Sequence, residues 1–239
     1  MKQLYFDLHL HSCLSPCAAD DMTPADLAAM CALAGLQVVA LTDHNSTGNC
    51  AAFAKAAQRH GLLAVPGMEL CTREEVHVVC LFPDLESAQA CSQKVKKLLP
   101  AVPNNPAIFG RQLLMDEHDT VLGEETALLA GAADISVYDV AQFVTGFGGI
   151  CYPAHIDRSA NSLLSQLGIW DPELPFLLAE VSMNCPEDLF QRRDLQCLRH
   201  IKASDAHYLH QIPNASQSME LPEVSAKAVL DWLWGKKLS

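Results

Sequence analysis

The stretch Asp7-Leu8-His9-Leu10-His11-Ser12 decides how the rest of this 239-residue chain is read. It continues an alternating run, Leu4-Tyr5-Phe6-Asp7-Leu8, that predicts a short strand. Residues two apart in a strand share a side, so His9 and His11 can present both imidazoles to one centre. Neutral imidazole is the commonest protein ligand for zinc and similar ions. Taken alone, a His-x-His pair also fits a strand end with two half-buried histidines. Matching residues further along decide between the two.

Working outward, polar residues follow one strand after another. Thr23-Pro24 predicts a helix start, Ala25 to Ala34 keep an apolar stripe, and Gly35 closes it. Val38-Val39-Ala40-Leu41 is a continuous apolar run typical of a strand buried on both faces, with Thr42-Asp43-His44-Asn45 at its end. A helix is expected from Asn49 to His60, then a strand over Leu62 to Val65 with Gly67-Met68-Glu69 at its end. Val76 to Phe82 reads as a strand carrying His77, and Asp84 to Leu99 as a helix. Residues 100–135 hold Pro100, Pro103 and Pro106 and a turn-rich Leu113 to Glu125, and are expected to be an insertion containing a hairpin.

Beyond the insertion a helix is predicted over Ser136 to Phe147, then a strand Ile150-Cys151-Tyr152 followed by Pro153-Ala154-His155. Leu177 to Val181 reads as a strand, Glu187 to Leu198 as a helix, and His200 to Ala203 as a strand leading into Ser204-Asp205-Ala206-His207. An amphipathic helix is expected over Pro222 to Trp234. Strand and helix alternate, which predicts a single α/β domain over residues 1–239 with a parallel sheet and its functional groups at the C-terminal strand ends.

Composition narrows the class. Half of the residues are hydrophobic, enough for one large core, and no long apolar stretch suits a membrane span. The chain begins directly with a strand and shows no signal-peptide pattern, so a cytoplasmic location is expected. Its ten cysteines then read as reduced thiols. Cys13 and Cys17 lie near the histidines but read as ordinary loop cysteines. A net charge of −12 disfavours a broad nucleic-acid surface, and no long duplex partner is expected.

Six of the ten histidines, His9, His11, His44, His77, His155 and His207, lie at or on predicted strands. Glu69 and Asp205 sit in equivalent places, and Asp20 or its rival Asp21 lies in the loop after the first strand. A barrel would gather these ends on one face. So many ligands exceed the needs of one tetrahedral ion and suit two or three divalent ions close together. Such a site attracts phosphate despite the acidic chain.

The ordered set Asp7-Leu8-His9-Leu10-His11-Ser12, Thr42-Asp43-His44-Asn45, Gly67-Met68-Glu69, Val76-His77-Val78, Pro153-Ala154-His155 and Ser204-Asp205-Ala206-His207 resembles the successive motifs of the PHP (polymerase and histidinol phosphatase) family. The resemblance implies a distorted (β/α)7 TIM-like barrel with a two- or three-metal phosphoesterase site using Mn, Fe or Zn. It implies metal ligation by His9, His11, His44, Glu69, His77, His155, Asp205 and His207. Relatives place a ligand Asp a few residues after the second histidine. Here the loop is longer, and Asp20 is the chosen residue.

The expected chemistry is hydrolysis of a small phosphorylated metabolite, nucleotide or short oligonucleotide end by a metal-activated water, with no protein nucleophile. Asp7 and Asp43 are expected to orient imidazoles, and Arg158 to bind phosphate. Arg192 and Arg193 read as a solvated helix face, and His60, His118, His200 and His210 lack a strand-end context. The alternatives are amidohydrolase-like C–N hydrolysis and a non-catalytic metal-binding accessory domain. No lysine sits at a predicted strand end to serve the first of these.

Overall fold

The chain starts with β1 (Lys2–Leu10), whose Leu4, Phe6 and Leu8 alternate inward as the sequence pattern requires. The elements that follow are α1 (Pro24–Leu33), β2 (Val38–Leu41), α2 (Cys50–Arg59), β3 (Leu63–Cys71), β4 (His77–Leu81), α3 (Leu85–Val95), α4 (Pro106–Phe109) and the hairpin β5 (Leu113–Met115) and β6 (Val121–Glu124). Then come α5 (Val140–Thr145), β7 (Ile150–Pro153), α6 (Leu163–Leu167), β8 (Leu178–Ser182), β9 (Arg199–Ala203), β10 (Ser218–Leu221) and α7 (Ala226–Leu233). The computed structural model describes residues 1–196 and 198–235.

The fold is α/β, a distorted TIM-like barrel. One curled sheet runs β10-β1-β2-β3-β4-β7, and a separate parallel pair, β8-β9, packs between β7 and β1. The ring has no continuous ladder at two seams, β7–β8 and β9–β1. At the second an isolated bridge joins Leu10 to Ala206, and the His11 N–H donates to the Ala206 carbonyl at 3.1 Å.

The sheet is mixed, not parallel throughout. β1, β2 and β3 run parallel, but β3-β4 and β4-β7 are antiparallel, as is β10 on β1. The cause is local: Thr72 to Val76 turns the chain straight back, with the Thr72 N–H donating to the Val76 carbonyl at 2.9 Å, so no helix intervenes. β3 also continues past the predicted end at Val65, through Glu69 to Cys71.

Other differences lie in the C-terminal half. The predicted helix 187–198 is absent among its described residues apart from one 3-10 turn, Leu189–Gln191, and Cys197 lies outside the described residues. Asp194 is drawn away to accept the Trp170 N–H at 2.9 Å and to pair with Arg192 at 2.8 Å. Arg192 and Arg193 are therefore not a helix face. α5 starts at Val140 rather than Ser136, and α7 at Ala226 rather than Pro222, because Ser225 caps it through the Ala228 N–H. The strand β10 just before it was not foreseen.

Period-2 geometry sorts the side chains. Leu4, Phe6, Leu8, Val38, Ala40, Val65, Val79, Leu81, Ile150, Tyr152, Leu178 and Ile201 share the interior cluster, which α7 closes from below with Val229 and Leu233. The helix-facing rows pack elsewhere: Val39 and Leu41 with α1 and α2, and Val78, Cys80 and Met68 with α3. The interior rows point upward into the candidate site.

Candidate metal centre

Followed along the interior rows, Val65 and Gly67 lead to Glu69, Leu178 to Glu180, and Ile201 and Ala203 to Asp205. On β4 the row is reversed. His77 comes first and Val79 and Leu81 follow, so an antiparallel strand delivers its ligand at its start. In β1 the register shifts between Asp7 and Leu10, where Leu8 belongs to the interior cluster and Leu10 to the helix side. His9 and His11 end with ring centroids 5.1 Å apart.

Gly67 makes the β3 row possible. A Cβ there would lie 2.7 Å from the Cys80 carbonyl oxygen and 2.8 Å from Leu81 Cδ2. His155 and Asp205 hold positive φ of 27° and 51°, a conformation that costs a non-glycine residue about 1–3 kcal/mol and that surrounding contacts must impose.

Glu69 is the hub. One oxygen lies 2.9 Å from His77 Nδ1, 3.1 Å from His155 Nε2 and 3.3 Å from His9 Nε2. Its other oxygen lies 2.9 Å from His44 Nδ1 and 3.5 Å from His11 Nε2. Asp205 Oδ1 reaches His11 Nε2 at 2.9 Å and His9 Nε2 at 3.2 Å, and the ring of His207 stacks 4.2 Å from that of His11. Eight of the sequence-predicted residues thus meet in one place: His9, His11, His44, Glu69, His77, His155, Asp205 and His207. All but His77 and His207 are buried.

The outward nitrogens fix the tautomers. His9 Nδ1 donates to Glu180 at 2.9 Å, His11 Nδ1 to Ser15 Oγ at 2.8 Å, and His207 Nδ1 to the Asp205 carbonyl at 2.9 Å. In the neutral rings the Nε2 atoms then face inward as lone pairs, and those of His9 and His11 stand 3.1 Å apart. Glu69 Oε2 and Asp205 Oδ1 are buried against ring nitrogens, at 2.9 Å from His44 Nδ1 and His11 Nε2 respectively, without hydrogen-bond geometry to either. Facing ring nitrogens and unsatisfied carboxylate oxygens in a buried cluster are destabilising unless protons or metal cations sit among them. Nitrogen and oxygen donors in this number fit divalent ions. Three overlapping sets have ligand atoms mutually within 4.8 Å: His11, His44 and His207; His9, His11, Glu69 and Asp205; and His44, Glu69 and His77.

The electrostatics are strongly coupled. Burial alone would neutralise His9, but Glu180, Asp205 and Glu69 override it and raise its pKa well above the ordinary value, so without a cation the ring favours its protonated form and a bound ion would displace that proton. His11 moves well below it, through burial and the neighbouring His207. Burial would raise Glu69, yet His77 and His9 bring it well below the usual carboxylate range.

Asp20 and Asp21 do not join the cluster. The Met22 N–H donates to the Ala19 carbonyl at 3.0 Å, which makes these two residues the middle of a turn, and both are exposed. Cys17 reaches inward from the same loop instead, its Sγ 3.1 Å from His44 Nε2. Burial would raise this thiol, but His207 and His44 lower it to about 6.

Asp7 and Asp43 are buried, but neither touches an imidazole nitrogen. Asp7 accepts the backbone N–H groups of His9 and Ser204, both at 3.3 Å. Asp43 accepts from Ser12 and from Ser15 Oγ at 2.7 Å, so it acts on His11 through a serine. The carboxylate that orients an imidazole is Glu180, fully buried and given no role in the sequence reading although it ends a predicted strand on the interior row. Ser15 and Asn161 were also missed, the latter 3.1 Å from His77 Nε2. Nothing in their local sequence marks them. Arg158 stands at the mouth, half-exposed and paired with Asp205, beside Asn161 in a cavity of about 400 Å³.

Fold and side chains together define a barrel whose centre could hold divalent ions. The chain belongs to the PHP domain family, whose profile matches residues 7–136. No curated protein matches it. Among solved structures it is similar to endonuclease Q of Pyrococcus furiosus, a lesion-specific enzyme, with 16% identity and a TM-score of 0.67 over 98% of this chain and 56% of that one. The chain therefore spans a little over half the length of endonuclease Q. It is also similar to a protein of Bifidobacterium adolescentis described as a metal-dependent phosphoesterase (15% identity, TM-score 0.57, covering 95% of each chain). A third likeness is to an amidohydrolase of Chromobacterium violaceum with bound sulfate (20% identity, TM-score 0.56, 92% of this chain and 93% of that one).

Endonuclease Q has also been solved with a 27-mer duplex substrate, an abasic lesion at its active site. That complex overturns the exclusion of long duplex partners made from net charge. Net charge sums over the whole surface, whereas a duplex meets only one face, so an acidic total does not exclude one. No helix among the described residues is long and apolar enough to cross a membrane.

Proposed function

We propose that the chain is a metal-dependent phosphoesterase acting on a small phosphorylated metabolite or nucleotide, with two or three ions of Mn, Fe or Zn held by the eight clustered residues. The observation that carries this reading is the inward set of donor atoms: His9 and His11 Nε2 only 3.1 Å apart, against carboxylate oxygens of Glu69 and Asp205 that lack hydrogen-bond geometry. Bound divalent ions supply Lewis acidity, lowering the pKa of water and neutralising charge on phosphoryl oxygens.

The chain's own groups prepare and orient. Glu180 and Ser15 hold His9 and His11 in the tautomer that leaves Nε2 free. Arg158 pairs with Asp205 through one guanidinium nitrogen, and its remaining donors suit a phosphate entering the mouth. The cavity, about 400 Å³, lies in the range of small-molecule sites. Ser12 does not serve as a nucleophile, because its Oγ donates to Asp43 at 2.7 Å and accepts from Asn49 at 3.0 Å. No lysine hydrogen-bonds to the cluster among the described residues, which weighs against a site bridged by a carboxylated lysine.

A second reading, cleavage of a lesion-bearing duplex, is favoured by the likeness to endonuclease Q. One assay separates the two: EDTA-stripped protein reloaded with Mn, Fe(II) or Zn, offered mononucleotides, sugar phosphates and a duplex with an abasic site. Metal-dependent phosphate release from the small esters is the expected result. Cleavage of the duplex alone would establish the second reading, and no turnover by fully loaded protein would leave a non-catalytic domain.

A further inference from the structure

We infer that Cys17 is a metal ligand: its sulfur joins the imidazoles of His11, His44 and His207 as the fourth donor, and this makes one position of the centre selective for a thiophilic ion. The inference rests on the metal-holding reading above and adds which atom closes the outer position.

The loop is built to deliver this side chain. Pro16 occupies the second place of the turn Ser15–Ala18, closed by the Ala18 N–H donating to the Ser15 carbonyl at 3.0 Å, so Cys17 follows a residue of fixed φ. The next peptide is anchored to the far side of the site, where the Ala19 N–H donates to the His207 carbonyl at 3.0 Å. Ser15 Oγ meanwhile holds three partners: it donates to Asp43 and accepts from His11 Nδ1 and the His44 N–H. One short segment therefore ties together the strand ends that carry His11, His44 and His207.

The insertion braces it from outside. Gly110 runs so close that a Cβ would sit 2.1 Å from the Pro16 carbonyl oxygen, at a φ of 92°. The Leu113 N–H donates to the Cys13 carbonyl at 2.9 Å. Residues 100–135 thus pack against the loop that carries Cys17, at Cys13 and Pro16.

The chemistry of the gap calls for such a donor. The His11, His44 and His207 set is all imidazole, three ring nitrogens within 4.8 Å of one another, and holds no carboxylate of its own. A fourth, anionic ligand would complete a tetrahedron. The loop carboxylates Asp20 and Asp21 lie in the next turn and pair with none of these rings, whereas Cys17, though its residue is exposed at the surface, has its Sγ 3.1 Å from His44 Nε2. A thiolate in place of a carboxylate moves the preference from Mn or Mg toward Zn or Fe(II).

Cobalt(II) substitution tests this without an activity measurement. EDTA-stripped wild-type protein is titrated with Co(II), and the absorption is compared with Cys17→Ser, Cys17→Asp and a control, Cys185→Ser. A near-ultraviolet thiolate-to-cobalt band in the wild type and control that is absent from both Cys17 variants is expected. Zinc affinity should fall at least tenfold in Cys17→Ser, and Cys17→Asp should bind Mn better than the wild type does. Zinc should also protect Cys17 from iodoacetamide, read by mass spectrometry. Visible cobalt bands with no thiolate band, or a band that persists in Cys17→Ser, would overturn the assignment while leaving the cluster a metal centre. No cobalt binding at all would overturn both.

Discussion

Glu180→Gln is the sharpest probe of how the centre is organised. Glu180 is fully buried, its two oxygens 2.9 and 3.1 Å from His9 Nδ1, and Oε1 also takes the His155 N–H at 3.3 Å. A glutamine can keep one acceptor toward His9 but loses the charge that makes the imidazole a better ligand. Partners of this kind contribute about 10- to 100-fold to metal affinity. The neutral amide should cost the lower figure, about tenfold or 1.4 kcal/mol. Because bound metal stabilises by mass action, the rise in Tm on adding saturating Zn or Mn should shrink by the same free energy. For a chain of this size that is about 3–6 °C. The increment is the proper readout, since subtracting the metal-free melt removes any cost to the fold itself. Glu180→Ala, which leaves Nδ1 with no acceptor, should lose more. An increment and a calorimetric Kd equal to those of the wild type would refute the claim that Glu180 positions His9.

Asp20→Ala and Asp21→Ala should leave bound metal, measured by elemental analysis, and turnover unchanged; loss of either would mean that the loop rearranges on loading. Asp7 is raised from 3.8 to about 6, first by burial and further by Glu180, with hydrogen bonds from Ser204 and His9 opposing. A carboxyl that holds its proton more tightly when folded costs stability as pH rises from about 4 to about 6, by about 3 kcal/mol in full. Asp7→Asn, unfolded by urea in EDTA, should therefore gain on the wild type by about that amount between pH ~4 and pH ~8, and a constant difference would contradict it. Arg158→Ala should raise KM for a phosphoester by about tenfold or more with bound metal unchanged; an unaltered KM would remove Arg158 from substrate binding. Gly67→Ala should destabilise the fold by about 2 kcal/mol or more, read from denaturant midpoints, because the new methyl meets a backbone carbonyl that cannot withdraw.

What the sequence disclosed and what it hid differ in kind. Period-2 alternation places His9, His11, Glu69, His155 and Asp205 at strand ends, and any closed sheet must gather strand ends. Those residues could be read before the fold was known. The direction of β4 could not, because Val76 to Phe82 has the same pattern run either way, and only the tight turn at Thr72–Val76 reverses it. The family resemblance points to Asp20, yet which residue of a loop turns inward depends on backbone hydrogen bonds to distant partners such as His207. Glu180 was passed over because its partner, His9, lies 171 residues away. The helix expected over 187–198 had adequate propensity, but Asp194 is held by the Trp170 backbone, a tertiary demand that no local window contains.

The weak junction between β1 and β9 gives the ions a mechanical part as well. His9 and His11 stand on one side of that gap and Asp205 on the other, with His11 and Asp205 2.9 Å apart and little ladder beneath them. Anything bound between them staples the first strand of the ring to the last. Chelation should therefore unzip the barrel along this line before the remaining strands respond, with amide exchange quickening first in β8 and β9.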